Sequence, residues 1–432
     1  MHAEQGLLGD LILKSDRKGN GSVNQLEQKD LPFHDWYRFV LSYPAHLVRD
    51  YLRRFELPPG STVLDPFSGT GTTLVEAKLN GFVGVGMEVN PIAYLAGKVK
   101  TTWDVDPTDL TASAKKIASL ARRRSRVNAD DSLRGLSEEQ EKLLISGSIS
   151  PLPLHKCIIL GETIDEKADP AIRDHLRLAF AKTAVGEASN LCFGPEIGVS
   201  RKKKTDVDVI SAWLSEIAVY AYDIENRNRA RCEPCYCYNE DARAIGNLLE
   251  HKIDAVITSP PYPNEKDYTR TTRLENVLLG FLNDRDDLRA LKKGLLRSNT
   301  RNVYKGDDDD QWVSENAAVQ QIAEEIERRR IELGKTSGFE RMYHRVTKQY
   351  FGGMARHFES LKQVLNPGAY LAYVVGDQAS YLRVMIRTGE LLSQIAEELG
   401  FEPVAIDLFR TRLATATKMQ MREEVVVLRW PG

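Results

Sequence analysis

Apolar positions along the chain recur with two different periods, and the way the periods alternate predicts the fold. STVLDPF (61–67) reads as a short strand entering a turn. GTTLVEAKLNG (71–81) follows with helical spacing, Leu74, Ala77 and Lys78 falling on successive turns and Gly81 acting as the stop. FVGVGMEVN (82–90) is a second apolar strand, and PIAYLAGKVK (91–100) a second helix with proline at its start. This strand-turn-helix-strand order, with a glycine-rich first turn, is the front half of a nucleotide-type α/β fold.

The pattern then breaks off. Residues 101–231 are mainly helix-forming and polar, and read as an inserted helical region. Strand signals resume at PCYCYNEDAR (234–243) and IDAVITSPPY (253–262). A second helical insertion fills 263–349 and carries the acidic run 307–310. The sheet is expected to finish with GAYLAYVVGD (368–377), FEPVAIDLFR (401–410) and EEVVVLRW (423–430). Between the first two lies an amphipathic helix ending in glycine, RTGELLSQIAEELG (387–400). The expected organisation is a core of 30–100, 232–262 and 350–432 with insertions at 101–231 and 263–349.

Composition changes this picture little. Hydrophobic residues at 42% and charged residues at 28% are ordinary for a soluble globular chain. No stretch approaches the roughly 18 apolar residues of a spanning helix, and the first residues lack the apolar run of a signal peptide, so no membrane is expected. Five cysteines in 432 residues do not suggest a disulfide framework, which makes a reducing cytoplasm the expected setting. A net charge of -2 excludes arguing a nucleic-acid partner from bulk charge. Local basic runs do exist at RRRSR (122–126), RKKK (201–204) and RRR (328–330), and such runs are usually solvated surface.

Candidate chemistry sits at the strand ends. Asp65, Pro66, Phe67, Ser68, Gly69, Thr70, Gly71 and Thr72 form a turn whose glycines let the backbone approach a ligand, ahead of a helix that offers its first N–H groups. It is neither a P-loop nor a full dinucleotide fingerprint. Asp65 suits the ammonium of a ligand with an amino-acid end, the loop N–H groups its carboxylate. Glu88, followed by Val89, ends the next strand and can take both hydroxyls of a ribose. Asp241, followed by Ala242, ends a third strand and can reach an adenine amino group. Ribose, adenine and an amino-acid end together describe S-adenosylmethionine.

Ser259, Pro260, Pro261 and Tyr262 end the next strand. Two adjacent prolines cannot extend a central strand, so they present a rigid loop at the sheet's carboxyl edge. Ser259 Oγ and the Pro260 carbonyl can hold the hydrogens of an exocyclic amine. Tyr262 can stack on a base turned out of the helix.

The set DPFSGTGTTLVEA, GVGMEVNP, NEDAR and TSPPY resembles the amino-methylating DNA methyltransferases. FVLSYPAHLV (39–48) looks like that family's additional cofactor-covering segment, and GAYLAYVVGD resembles a later core strand. The resemblance covers about half the chain and implies a Rossmann-like methyltransferase sheet, S-adenosylmethionine as cofactor and double-stranded DNA as substrate. Serine before Pro-Pro-Tyr is typical there of enzymes acting on the N4 amine of cytosine. A restriction endonuclease as companion also follows from the resemblance alone. Adenine N6 methylation, methylation of an RNA exocyclic amine, and a non-catalytic DNA-recognition subunit remain the alternatives.

From Asn264 to Gly306 there are ten Lys/Arg against six Asp/Glu, a balance of +4. Tyr268, Arg270, Arg273, Arg297, Asn299 and Arg301 are the candidate DNA contacts, since Arg and Asn can read base edges. This makes 263–349 the candidate target-recognition region, while the insertion at 101–231 departs from the family's minimal pattern. Cys232, Cys235 and Cys237 lack a clear second ligand pair, so buried strand cysteines are expected rather than zinc. Pro234-Cys235 with Glu225-Asn226 stands in the wrong order for carbon-5 cytosine methylation.

Overall fold

The computed structural model describes residues 27–39, 42–126, 132–193, 197–227, 233–247, 249, 251–264, 266–413 and 420–432. Helix α1 (Ala45–Arg54) precedes β1 (Thr62–Asp65), α2 (Thr72–Leu79), β2 (Val83–Met87) and α3 (Pro91–Thr101). The first insertion holds α4 (Pro107–Arg124), α5 (Glu138–Glu141), α6 (Pro151–Lys167), α7 (Pro170–Thr183), strands β3 (Leu191–Phe193) and β4 (Ile197–Val199), and α8 (Val209–Glu225). Core strands β5 (Cys235–Tyr238) and β6 (Ile253–Thr258) follow. Then come α9 (Tyr268–Thr271), α10 (Arg273–Leu278), α11 (Arg285–Gly294), α12 (Ala317–Glu332) and α13 (Tyr343–Leu361). The chain ends through β7 (Leu365–Gly376), α14 (Thr388–Glu398), β8 (Glu402–Leu413) and β9 (Gln420–Arg429).

Seven strands form one sheet in the order β5-β2-β1-β6-β7-β9-β8. β5, β2, β1, β6 and β7 run parallel, and β9 runs antiparallel to both of its neighbours. From β1 the chain moves outward through β2 and β5, then returns to β6 on the other side. The order therefore reverses between β1 and β6, which is where such sheets bind ligands.

Successive residues of the central strands enter opposite cores. Val63, Ala255, Ile257, Ala372, Val374, Val425 and Val427 face α1 and α2. Leu64, Val256, Leu371, Tyr373, Val375, Val426 and Leu428 face α13 and α14. Both faces are apolar, so these strands read as continuous hydrophobic runs such as VVVL. The expected strands and helices of the core all form. The antiparallel pair β3–β4, inside a region read as helical, is a departure: each strand is three residues, too short to carry a period.

Each insertion is anchored to the core. The first shares one apolar core with α3, in which Trp36 stacks on Tyr220 with ring centroids 4.1 Å apart. Asp223 of α8 accepts the Trp36 indole N–H at 2.8 Å and the Phe33 N–H at 3.2 Å. The second insertion docks through charge. Two acids of its acidic run are turned inward: Asp309 pairs with Arg243 and with Arg356, and Asp307 takes Arg297 Nε at 2.8 Å.

The backbone at Asp309 passes so close to α13 that a Cβ on Gly352 would overlap the Asp309 carbonyl. Gly352→Ala is therefore expected to destabilise the protein by about 1–3 kcal/mol. In an open helix the same change would stabilise by up to about 1 kcal/mol. Urea midpoints of the two proteins test this, and a more stable alanine variant would contradict the packing.

Candidate active site

The carboxyl edge of the sheet opens into a cavity of about 700 Å³. Pro66 to Thr70 and Thr72 line it, as do Glu88, Val89, Asp241, Ala242 and Ser259 to Tyr262. Four strand ends thus bring the cofactor-type residues and the Ser-Pro-Pro-Tyr loop into one space.

Asp65 is a correction. Its position suggests that it faces an ammonium, but it is fully buried and does not line the cavity. Its carboxylate accepts the Thr258 hydroxyl at 2.6 Å, the Tyr43 hydroxyl at 2.7 Å and the Phe67 N–H at 3.2 Å. Burial pushes the carboxyl up to about 6, and those hydrogen bonds hold it from rising further. It braces the loop from beneath. Tyr43 belongs to the covering segment and lines the cavity with Phe39, so that segment does reach the site; Val40 and Leu41 lie outside the described residues.

Gly71 also lies behind the cavity wall. Its φ of +82° is left-handed, and a Cβ would come 2.8 Å from the Gly97 Cα of α3. Gly69, with φ +48°, donates its N–H to Glu88 Oε2 at 2.9 Å. Glu88 Oε1 accepts the Asn90 N–H at 2.7 Å. Burial pushes Glu88 up to about 7, against those two N–H donors. Thr70 Oγ1 is buried without a hydrogen-bond partner.

Asp241 departs from expectation as well. Arg243 surrounds its carboxylate, donating its backbone N–H (2.9 Å) and Nε (3.0 Å) to one oxygen and Nη2 (2.6 Å) to the other. Few lone pairs are left to receive an amino group. Arg243 in turn pairs with Asp309, so this corner of the site is tied to the second insertion.

Just past β6, Ser259 Oγ donates to the Val374 carbonyl at 3.1 Å. Its lone pairs remain as acceptors. Tyr262 donates its hydroxyl to Glu423 at 2.9 Å, and Arg410 holds Glu423 from its other side. The Tyr262 ring packs over Gly376, where a Cβ would meet it at 3.0 Å.

The expected DNA contacts divide. Tyr268, Arg270, Asn299 and Arg301 line the same cavity. Arg297 is a correction: it is buried, paired with Asp307 and donates to the carbonyls of Lys292 and Lys293, each at 3.1 Å. Asn299 is buried too, capping a turn at Arg301 N and donating to the Lys266 carbonyl at 3.0 Å. Arg273 ties the two insertions, giving Nη1 to the Leu143 carbonyl at 3.2 Å. Of the basic runs, Lys203 and Lys204 donate to backbone carbonyls, and Arg328 and Arg330 pair with glutamates of their own helix. Cys235 and Cys237 are free thiols and Cys232 lies outside the described residues; no group of three metal-ligating side chains occurs among those described. Nor is any described helix long and apolar enough to cross a membrane.

Two buried groups escaped the sequence reading. Lys100 is fully buried and donates to the Thr70 carbonyl at 2.7 Å and the Tyr37 carbonyl at 3.2 Å; burial brings its ammonium down to about 7. Glu275 accepts the Tyr37 hydroxyl, and burial pushes it up to about 7. No local signal marks either, since the residues that bury each are brought from elsewhere in the chain.

Residues 17–96, which contain the loop and Glu88, match the family model of the DNA methylases. The chain is 26% identical over 450 residues to the Type II methyltransferase M.BsoBI of Geobacillus stearothermophilus, covering 94% of this chain and 86% of the other. It is 25% identical over 463 residues to the Type II methyltransferase M.AvaI of a Nostoc strain, covering 93% and 87%. Likeness to solved structures is slight: TrmN from Thermus thermophilus superposes with a TM-score of 0.32 at 11% identity, covering 93% of this chain and 52% of that one. The fold therefore rests on the strand order, not on that likeness.

A carboxyl whose value is raised on folding binds more protons folded than unfolded. Between the ordinary value of 4.5 and about 7, Glu88 therefore makes stability fall as pH rises, with the loss complete above about pH 7. Glu88→Gln is expected to flatten that part of the pH–stability curve and to raise stability above about pH 7. Urea unfolding of both proteins across that window is the check; parallel curves would mean that Glu88 is solvated.

Proposed function

We propose that this chain, which belongs to the amino-methylating DNA methyltransferases, methylates the N4 amine of a cytosine flipped out of duplex DNA within a specific short sequence. The observation that carries the reading is the hydroxyl of Ser259. It donates to the Val374 carbonyl at 3.1 Å, and its lone pairs can accept a hydrogen from a substrate. An exocyclic amine has two hydrogens to give and a lone pair delocalised into its ring. An acceptor holding one hydrogen draws that lone pair back onto nitrogen. Pro260 and Pro261 fix the loop, so the acceptor costs little ordering when substrate enters. Serine rather than Asp or Asn before Pro-Pro-Tyr favours cytosine, by the family resemblance.

S-adenosylmethionine, when bound, supplies an activated methyl group. The residues present fit it. The unpartnered Thr70 hydroxyl and the loop N–H groups suit its polar amino-acid end, and Glu88, raised by burial, suits two ribose hydroxyls. Val89 and Ala242 are apolar neighbours for a base. Asp241 contributes there by fixing Arg243. Tyr262, held by Glu423, offers its ring to the flipped base, and Arg270, Arg301 and Tyr268 receive the DNA around it. Arg273, Arg297 and Asn299 shape the loops that carry those side chains. Because M.BsoBI and M.AvaI are named Type II methyltransferases, a restriction endonuclease of the same specificity is the companion to seek.

Methyl transfer from labelled cofactor to plasmid DNA, followed by mass spectrometry of the nucleosides, tests the reading. N4-methylcytosine is the expected product; N6-methyladenine would overturn the base assignment, and unmethylated DNA the activity. Ser259→Ala is expected to lower kcat by about a hundredfold or more, in the range of losing one transition-state hydrogen bond. Cofactor affinity should stay within about twofold, because the proposed contact is with the amine. Equal loss of cofactor binding and turnover would contradict that role.

A further inference from the structure

Beside the active-site cavity, between the two insertions, lies a second and more open one of about 320 Å³. Six cationic side chains border it: Lys142 from the first insertion, and Arg273, Arg285, Arg289, Lys292 and Arg301 from the second. Asp267 opposes them from inside, taking Lys292 Nζ at 2.8 Å and standing 3.8 Å from Arg273. Arg289 pairs with Asp286, and Lys142 with Glu138 and Glu139, on the exposed side. Among the described residues no carboxylate pairs with Arg285 or Arg301; Arg301 instead lies over the Phe339 ring, 5.7 Å from its centroid.

The arrangement is built rather than incidental. Leu143 and Leu288, the cavity's apolar lining residues, belong to or pack against a buried cluster with Val277, Leu282 and Leu291 that draws on both insertions. Arg273 Nε is buried there without a hydrogen-bond partner. Burial, only partly offset by Asp267, lowers the Arg273 guanidinium, and Arg270 and Arg301 lower it further. Cations facing one another across a concave surface repel unless an anion lies between them. Guanidinium forks match the paired oxygens of a phosphate. Arg301 borders both cavities, which sets the second beside the point where a flipped base would enter.

We propose that this second cavity holds a backbone phosphate of the DNA strand bearing the target base, so that both insertions grip the DNA. The proposal rests on the methyltransferase reading above. Its contact is with the backbone and carries no sequence preference.

The test is the double variant Arg285→Gln/Arg289→Gln, which changes two exposed side chains of α11. Binding to labelled duplexes of unrelated sequence would be followed by anisotropy over a salt series without cofactor, with S-adenosylmethionine binding measured alongside. Affinity at low salt is expected to fall several-fold for every duplex. The slope of log affinity against log salt should become shallower by about 0.9 for each phosphate that the variant leaves unneutralised. Cofactor affinity should not change. If the wild type binds and methylates DNA while the double variant keeps its affinity and slope, this site is overturned and the methyltransferase reading stands. A wild type that neither binds nor methylates DNA overturns both. Inorganic phosphate raising the melting temperature of wild type but not of the variant, with duplex binding equal, would assign the cavity to free anions and overturn the proposal.

Discussion

Burial of both faces of the sheet is the constraint from which the rest follows. Alternate residues of β1, β6, β7 and β9 enter separate apolar cores, leaving no flank of the central strands open to a ligand. What remains is the carboxyl edge, where the strand order reverses between β1 and β6. The glycine-turn residues, Glu88, Asp241 and Ser259 stand there just past strand ends, and the covering segment and the insertions bring further polar groups to them. Acids that would be expensive in the core are tolerated at the edge because backbone N–H groups and hydroxyls from neighbouring strands reach them.

Those acids are divided between bracing the loops and facing the cavity. Asp65 spends its oxygens on Tyr43, Thr258 and Phe67, and so ties the covering segment, the loop and β6 into one unit. Lys100 does similar work from below through the Thr70 carbonyl. Glu88 keeps its carboxylate at the cavity wall, held by two backbone N–H groups and raised by burial. Asp65 and Lys100 thus brace the loop without lining the cavity, which is how a site keeps its geometry when empty.

The insertions complete the site rather than decorate it. Lys182, Val185 and Phe193 of the first, and Tyr268, Arg270 and Arg301 of the second, are walls of the same cavity as Ser259. Arg243 carries the mechanical link: it joins Asp241 at the end of β5 to Asp309 of the second insertion, and Asp309 also engages Arg356 on α13. The second insertion is therefore tied both to the residues after β5 and to α13.

Local pattern alone determined the core of this protein. Strict runs of Val, Ile and Leu mark strands covered on both faces, glycines mark the tight turn after β1, and paired prolines mark the end of β6. Those are short-range consequences of backbone sterics and burial, so a linear reading recovers them, along with Glu88 and Ser259 as residues at strand ends. What only the tertiary structure decided is how polar groups are spent. Asp65, Arg297 and Asn299 read as ligand contacts because of where they fall in the chain, yet each is satisfied by partners distant or hidden in sequence: Tyr43 and Thr258, Asp307, Lys266. Lys100 and Glu275 carry no mark in the sequence and are buried. A buried charge is defined by the donors and acceptors that folding gathers around it, and no window of sequence contains them.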